Sequence, residues 1–228
     1  GGEAEYAWGG ARSSPPGTRR GGQATLAPRP QPRAGTAEEI LYLLGLLLDP
    51  ANADQPMPLI FTGPAQSAGY FEQLDRFIGR ILGPEAQQRY RIVVGDPAEV
   101  AREMRRGLDQ VRRRRRRSGD AYNFNWLLKV PGAFQQPFEV THESMASLVL
   151  SRDLPVHELA ANLRRAFSGI VAGNVKEQGI RQIERDGPFE IHGDADIARP
   201  LDELLRGFVA QRRMKLVGEY RPCYRVVA

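Results

Sequence analysis

Lysine is almost missing from this chain. Of its 32 basic residues only Lys129, Lys176 and Lys215 are lysines, and none has a motif around it, so Schiff-base chemistry has few candidates. The arginine excess suggests a GC-rich coding sequence. Cysteine is scarcer still: the single Cys223 excludes an internal disulfide and lacks the Cys and His neighbours that a zinc site needs. The three histidines, His142, His157 and His192, stand far apart, so neither a metal nor a cofactor motif emerges. No apolar run approaches the roughly 18 residues that cross a bilayer, and no N-terminal apolar stretch marks a secretory signal. These absences argue against a membrane partner and make a reducing cytoplasm the default location.

The 228 residues are enough for one large domain or two small ones with a real core. Residues 1–33 do not take part in it by composition. They are rich in Gly, Pro and Arg, with Leu26 the only aliphatic beyond alanine, and show no period of 2 or 3.6. Such a stretch cannot bury enough apolar surface to offset its ordering entropy, and it is expected to be a disordered, low-complexity leader.

The stretch Gly35-Thr36-Ala37-Glu38-Glu39, running into Ile40-Leu41-Tyr42-Leu43-Leu44, anchors the rest. A Gly-Thr step at a helix start gathers free backbone N–H groups, a hydroxyl and the positive end of the helix dipole, which together suit an anion. Two carboxylates follow one turn later. The plainer reading of the same residues is a capped core helix over 36–48, with Thr36 as N-cap and Glu39 closing a capping box. The helix is apolar on nearly every face, as buried helices are.

A continuous apolar strand is expected at Pro58-Leu59-Ile60-Phe61 and a second at Arg91-Ile92-Val93-Val94, both fully buried. Between them Phe71, Leu74, Phe77, Ile78, Ile81 and Leu82 follow helical spacing. Asp96-Pro97-Ala98-Glu99 supplies an N-cap, a proline at N1 and an acid at N3, and Val100, Met104, Leu108 and Val111 continue that helix as a buried stripe. Helix, strand, helix, strand, helix is the pattern of a parallel α/β sheet. Two strands alone do not make such a sheet, so the segment reads as the second half of a doubly wound domain. Its last helix ends in Arg112, Arg113, Arg114, Arg115, Arg116 and Arg117. A run of this kind is either a solvated helix end or a site for RNA, a nucleotide polyphosphate or an acidic partner.

From Ser118 a second unit begins, with the aromatic stretch Tyr122-Asn123-Phe124-Asn125-Trp126. A helix opens near Pro155 and buries Val156, Leu159, Leu163, Phe167, Ile170 and Val171, with Ile180 and Ile183 extending the pattern to Gly187. Phe189-Glu190-Ile191 alternates like a strand, 201–209 is helical, and Tyr224-Arg225-Val226-Val227 closes the chain as a strand.

Several of these stretches resemble one family. Besides Gly35-Thr36-Ala37-Glu38-Glu39 they include Asp49-Pro50-Ala51-Asn52, Leu59-Ile60-Phe61-Thr62-Gly63-Pro64, Gly119-Asp120-Ala121-Tyr122, the run from Arg164 to Glu177, Gly207-Phe208-Val209-Ala210-Gln211 and Met214-Lys215-Leu216. Together they are similar to the pyrimidine/purine nucleotide 5′-monophosphate nucleosidases, the bacterial branch of the LOG ("Lonely guy") family. The resemblance implies a partial Rossmann-like parallel-sheet core over 34–117, followed by a smaller α+β C-terminal domain over 118–228. It implies hydrolysis of the N-glycosidic bond of a nucleoside monophosphate, releasing free base and ribose 5-phosphate. By the motif Glu39 is catalytic, Gly35 and Thr36 hold the 5′-phosphate, and Glu38 is a supporting carboxylate. A homo-oligomer is expected, with the run from Arg112 to Arg117 as an anion or nucleotide-effector site.

The family motif Pro-Gly-Gly-x-Gly-Thr-x-x-Glu meets Gln31, Pro32 and Arg33 where Pro-Gly-Gly belongs. Those glycines let a backbone wrap a phosphate. Similarity that stops so sharply beside a low-complexity leader is expected of an out-of-frame or truncated reading, and of a chain weakly active or inactive by itself. The alternative is a nucleotide- or nucleic-acid-binding fragment that uses the arginine run without catalysis.

Overall fold

The leucine-rich helix α1 (Ala34–Leu48) is buried along almost its whole length, as a helix apolar on most faces must be. In the computed structural model, which describes residues 32–119, 128–214, 216 and 220–227, it lies against α7 (Val156–Val175), the longest helix of the C-terminal part. The two helices meet closely at Gly45, where an added Cβ would stand 3.6 Å from the Ala161 backbone nitrogen and 2.9 Å from the Phe134 ring. Alanines on the α7 side, Ala160 and Ala161, leave room for that approach.

After α1 come β1 (Ile60–Gly63), α2 (Ala68–Ile81), the short α3 (Pro84–Gln87), β2 (Arg91–Val94) and α4 (Pro97–Arg117). Strands β1 and β2 pair in parallel, Ile60 opposite Arg91 through Gly63 opposite Val94. Asp96 caps α4 through a bond from the Glu99 N–H to its carboxylate (2.9 Å), as the residue order predicts.

Both strands and α4 are less buried than the apolar spacing predicts. Ile92 is 36% exposed and Leu108 37%, while no residue of α4 is fully buried. Geometry gives the reason. A helix of 21 residues is about 30 Å long, whereas a four-residue strand runs only about 13 Å. The last turns of α4, with the arginine run, therefore extend past the sheet.

The C-terminal part contains two short helices, α5 (Gly132–Gln135) and α6 (His142–Ala146), then β3 (Val149–Leu150), α7, α8 (Glu177–Asp186), β4 (Phe189–Gly193), α9 (Ala195–Ala210) and β5 (Tyr224–Val227). The three strands form one sheet in the order β3-β4-β5, and every pair is parallel. The family resemblance implies an α+β arrangement here. The connections through α7–α8 and through α9 make it a small α/β layer instead, because parallel neighbours require a crossover. The single helical pattern expected from Pro155 to Gly187 is also two helices, broken at Lys176, whose backbone is extended. At the break α8 folds back so tightly that a Cβ on Gly179 would meet the Ala172 carbonyl oxygen at 2.3 Å.

One apolar core joins the two parts. Phe71, Leu74, Phe77 and Ile78 of α2, Leu41 and Leu44 of α1, Phe167 of α7, Phe189 of β4 and Phe208 of α9 all belong to it. The chain is thus a mixed α/β protein with two small parallel sheets held together by helix packing. The expected disordered leader, apart from Pro32 and Arg33, and the aromatic stretch Tyr122–Trp126 lie outside the described residues.

Helix α9 ends in a turn that glycine usually makes. The Arg213 N–H donates to the Phe208 carbonyl (2.7 Å) and the Arg212 N–H to the Val209 carbonyl (2.9 Å), with Arg212 in the left-handed region at φ 55°. Among the described residues no other non-glycine has a positive φ. Arg212→Gly is expected to raise unfolding stability by about 0.5–1 kcal/mol, the relief of left-handed strain less the added chain entropy. Urea denaturation measures it, and a loss of stability would show that the Arg212 side chain supports the turn.

Candidate active site at the start of the first helix

The start of α1 is tied to three other parts of the chain. The Tyr70 hydroxyl of α2 donates to the Arg33 carbonyl at 2.9 Å. The Ala34 N–H donates to the Arg213 carbonyl at 3.2 Å. The Arg213 guanidinium donates to the Pro32 carbonyl (3.4 Å) and to the Gln66 carbonyl (3.0 Å), the latter in the turn that follows β1. The helix start therefore sits beside the carboxyl end of the parallel pair β1–β2. Open parallel sheets bind ligands in the crevice at that end.

Its capping differs from the expectation. The helix begins at Ala34, two residues earlier than predicted, with Arg33 at the N-cap. Thr36 is consequently at N3, where its hydroxyl accepts the Arg33 N–H (3.2 Å) and its own N–H donates to the Arg33 carbonyl (2.9 Å). Glu39 stands in the second turn, too far along to close a capping box. The anion site is also narrower than four free amides would make it, because Ala34 and Thr36 already have acceptors.

The two carboxylates point to different surroundings. Glu38 faces α7, its Oε1 3.7 Å from Nε of Arg164, an ion pair too long for a hydrogen bond. Arg164 in turn lies over the Tyr42 ring, 5.3 Å from its centroid, and Tyr42 meets Phe134 edge-on at 5.3 Å. Glu39 is exposed, one helical turn beyond the exposed Gly35. Among the described residues, nothing beyond the adjoining residues and the helix's own backbone lies within 4 Å of where a Gly35 Cβ would be. Gly35 and Glu39 thus share an open face on a helix otherwise mostly enclosed, with Thr36 half-buried at its edge.

The arginine run is elsewhere. Arg112 pairs with Asp109 of its own helix (3.3 Å), and Arg114 approaches Asp54 (3.9 Å), which follows the far end of α1. Arg113, Arg116 and Arg117 are exposed and Arg115 is half-buried. The structure therefore does not bring Arg112–Arg117 to the Gly35–Glu39 face.

Chemistry elsewhere is limited. Burial pushes the Cys223 thiol up to about 12, so it is no nucleophile near neutral pH. Among the described residues no three His, Cys, Asp or Glu side chains cluster to hold a metal ion, and no helix is long and apolar enough to cross a membrane.

Arg164, Arg213 and Tyr70 escaped the residue-by-residue reading. The arginines lie in or beside stretches that resemble the family, but nothing in their local spacing shows that they reach back to α1.

The pyrimidine/purine nucleotide 5′-monophosphate nucleosidases of Escherichia coli strain K12 and of Escherichia coli O157:H7 are each 58% identical to this chain over 193 residues, 84% of this chain and 42% of theirs. The chain thus spans less than half the length of these relatives. Residues 108–227 match the family described as "Pyrimidine/purine nucleotide monophosphate nucleosidase, C-terminal". That stretch runs from the last turns of α4 to the end of β5 and contains both Arg164 and Arg213. Because it covers more than half of the 228 residues, the chain belongs to the C-terminal family of the pyrimidine/purine nucleotide monophosphate nucleosidases.

Proposed function

We propose that this chain carries part of the active site of a nucleoside 5′-monophosphate N-glycosidase, which hydrolyses the bond between base and ribose to give free base and ribose 5-phosphate. One observation carries the reading: Glu39 stands exposed beside the open Gly35 face at the carboxyl end of a parallel strand pair, while its neighbour Glu38 is tied to Arg164. The names of the 58%-identical relatives support the same reaction.

Glycosidic cleavage passes through an oxocarbenium-like state, so a carboxylate beside the ribose offsets positive charge and orients the attacking water. Glu39 takes that role. Gly35 and Thr36 sit at the helix end where the dipole favours the 5′-phosphate. Glu38 holds α1 in orientation through Arg164. In this reading residues 34–117 are the second half of a Rossmann-like LOG core, and the thinly covered β1–β2 pair meets the rest of that core in a longer chain. Residues 118–228 are the C-terminal domain, the assembly is a homo-oligomer in the cytoplasm, and Arg112–Arg117 serve an anionic effector away from the substrate.

The test is direct. Nucleoside monophosphates are incubated with this chain, and with the chain extended to its relatives' full length, and free base and ribose 5-phosphate are quantified together. Equal amounts of both products from the extended form are expected, with much less from the chain alone. No release from either form, together with salt-sensitive binding of nucleic acid, would instead favour the arginine run as a binding element.

A further inference from the structure

Arg213 is the one charged side chain buried among the described residues, only 6% exposed. Burying a guanidinium is unfavourable unless its donors are used. Here its two terminal nitrogens reach stretches far apart in sequence, the Pro32 carbonyl just ahead of α1 and the Gln66 carbonyl in the turn after β1. Its backbone carbonyl accepts the Ala34 N–H. Its guanidinium lies over the Tyr70 ring, 5.9 Å from the centroid, and the hydroxyl of that same tyrosine donates to the Arg33 carbonyl. A second, independent feature points to the same place. The turn that delivers Arg213 keeps Arg212 at φ 55°, and strain of that kind persists only where the surroundings over-determine it.

We infer that Arg213 is a positioning residue: its planar fork locks the start of α1 to the loop after β1, and so fixes where Gly35, Thr36 and Glu39 stand at the carboxyl ends of the strands. The inference rests on the N-glycosidase reading for what is being positioned, but the lock itself stands on geometry. Arginine suits the task because one rigid group serves acceptors on two segments at once, whereas a lysine ammonium is a point charge on a flexible stem. The C-terminal part of the chain thereby shapes the substrate site through a buried arginine, while Gly35 and Glu39 stand exposed on the helix that it holds.

The experiment pairs Arg213→Lys with Tyr70→Phe. The second variant removes only the hydroxyl that holds the Arg33 carbonyl, so it survives as a probe if the first folds poorly. Amide exchange over residues 33–41 is measured in this chain, with the amides of α7 as an internal control. Exchange of the first-turn amides is expected to rise by about tenfold in Arg213→Lys, and by less in Tyr70→Phe, while α7 is unchanged. In whichever form of the protein turns over, KM for the nucleoside monophosphate is expected to rise by roughly tenfold with a smaller fall in kcat, because the phosphate-holding end of α1 moves first.

Unchanged first-turn exchange in both variants overturns the lock. Faster exchange with KM and kcat per folded molecule unchanged overturns the positioning role and leaves a merely structural one. If the unmodified protein releases no base, the N-glycosidase reading fails, and the exchange result still decides on the lock by itself.

Discussion

Phe167→Ala is expected to destabilise the chain by about 3–5 kcal/mol. Phe167 is fully enclosed on α7, and its ring meets Phe77 of α2 edge-on, with centroids 6.3 Å apart and planes at 74°. The residue therefore stands where the part that carries α1 and α2 meets the part that carries the three-stranded sheet. Truncation removes the transfer energy of a phenyl ring and leaves a cavity that helices on both sides are too constrained to close. Whole domains are stable by only about 5–15 kcal/mol, so this one change takes a large share. In a chain of this size each kilocalorie shifts the melting temperature by about 2–4 °C, which puts the expected fall near 10 °C. Urea and thermal unfolding measure it. A change below about 1 kcal/mol would mean that the two parts do not depend on this contact for stability.

Much of that packing is legible in the apolar spacing. Leu159, Leu163, Phe167 and Ile170 recur at helical intervals, and all four are buried. Local spacing fails where the deciding partner is distant. The start of α1 moves to Ala34 because Arg213, Tyr70 and Ala34 bond across the fold, and a hydrogen bond spanning 181 positions leaves no trace in a window of ten. The parallel second sheet is hidden for another reason. Its edge strand, Val149–Leu150, is too short to show a period, and the direction of pairing depends on where α7 and α8 carry the chain. The stripe on α4 misled in the opposite sense. Val100, Met104, Leu108 and Val111 do share one face, but a two-stranded sheet is too small to cover it. At the site the motif picks out two adjacent carboxylates, and only the position of α7 separates them, by drawing Glu38 to Arg164.

That separation sets the largest expected effect on chemistry. Glu39→Gln is expected to lower base release by about 100-fold or more, the usual loss when a group that stabilises developing charge or positions water is removed. Stability should hardly change, because Glu39 is exposed and the amide keeps its size. Glu38→Gln is expected to behave the other way round. It loses an ion pair between half-buried side chains, a change of about 1 kcal/mol or less, and any fall in rate should come through a shifted α1. The measurement compares the two variants in the form that turns over, with rate and melting temperature taken on the same samples. If Glu38→Gln abolishes release while Glu39→Gln does not, the roles are reversed, and the Arg164 pair would be part of the reacting site. If both variants lower the melting temperature and neither alters the rate, the acids serve only the helix, and the anion-site reading of Gly35 and Thr36 loses its chemical partner. A double variant decides between independent and shared roles. Losses that multiply mean Glu39 acts on substrate while Glu38 acts on the helix; a loss no greater than that of Glu39→Gln alone means that the Arg164 pair works only by placing Glu39.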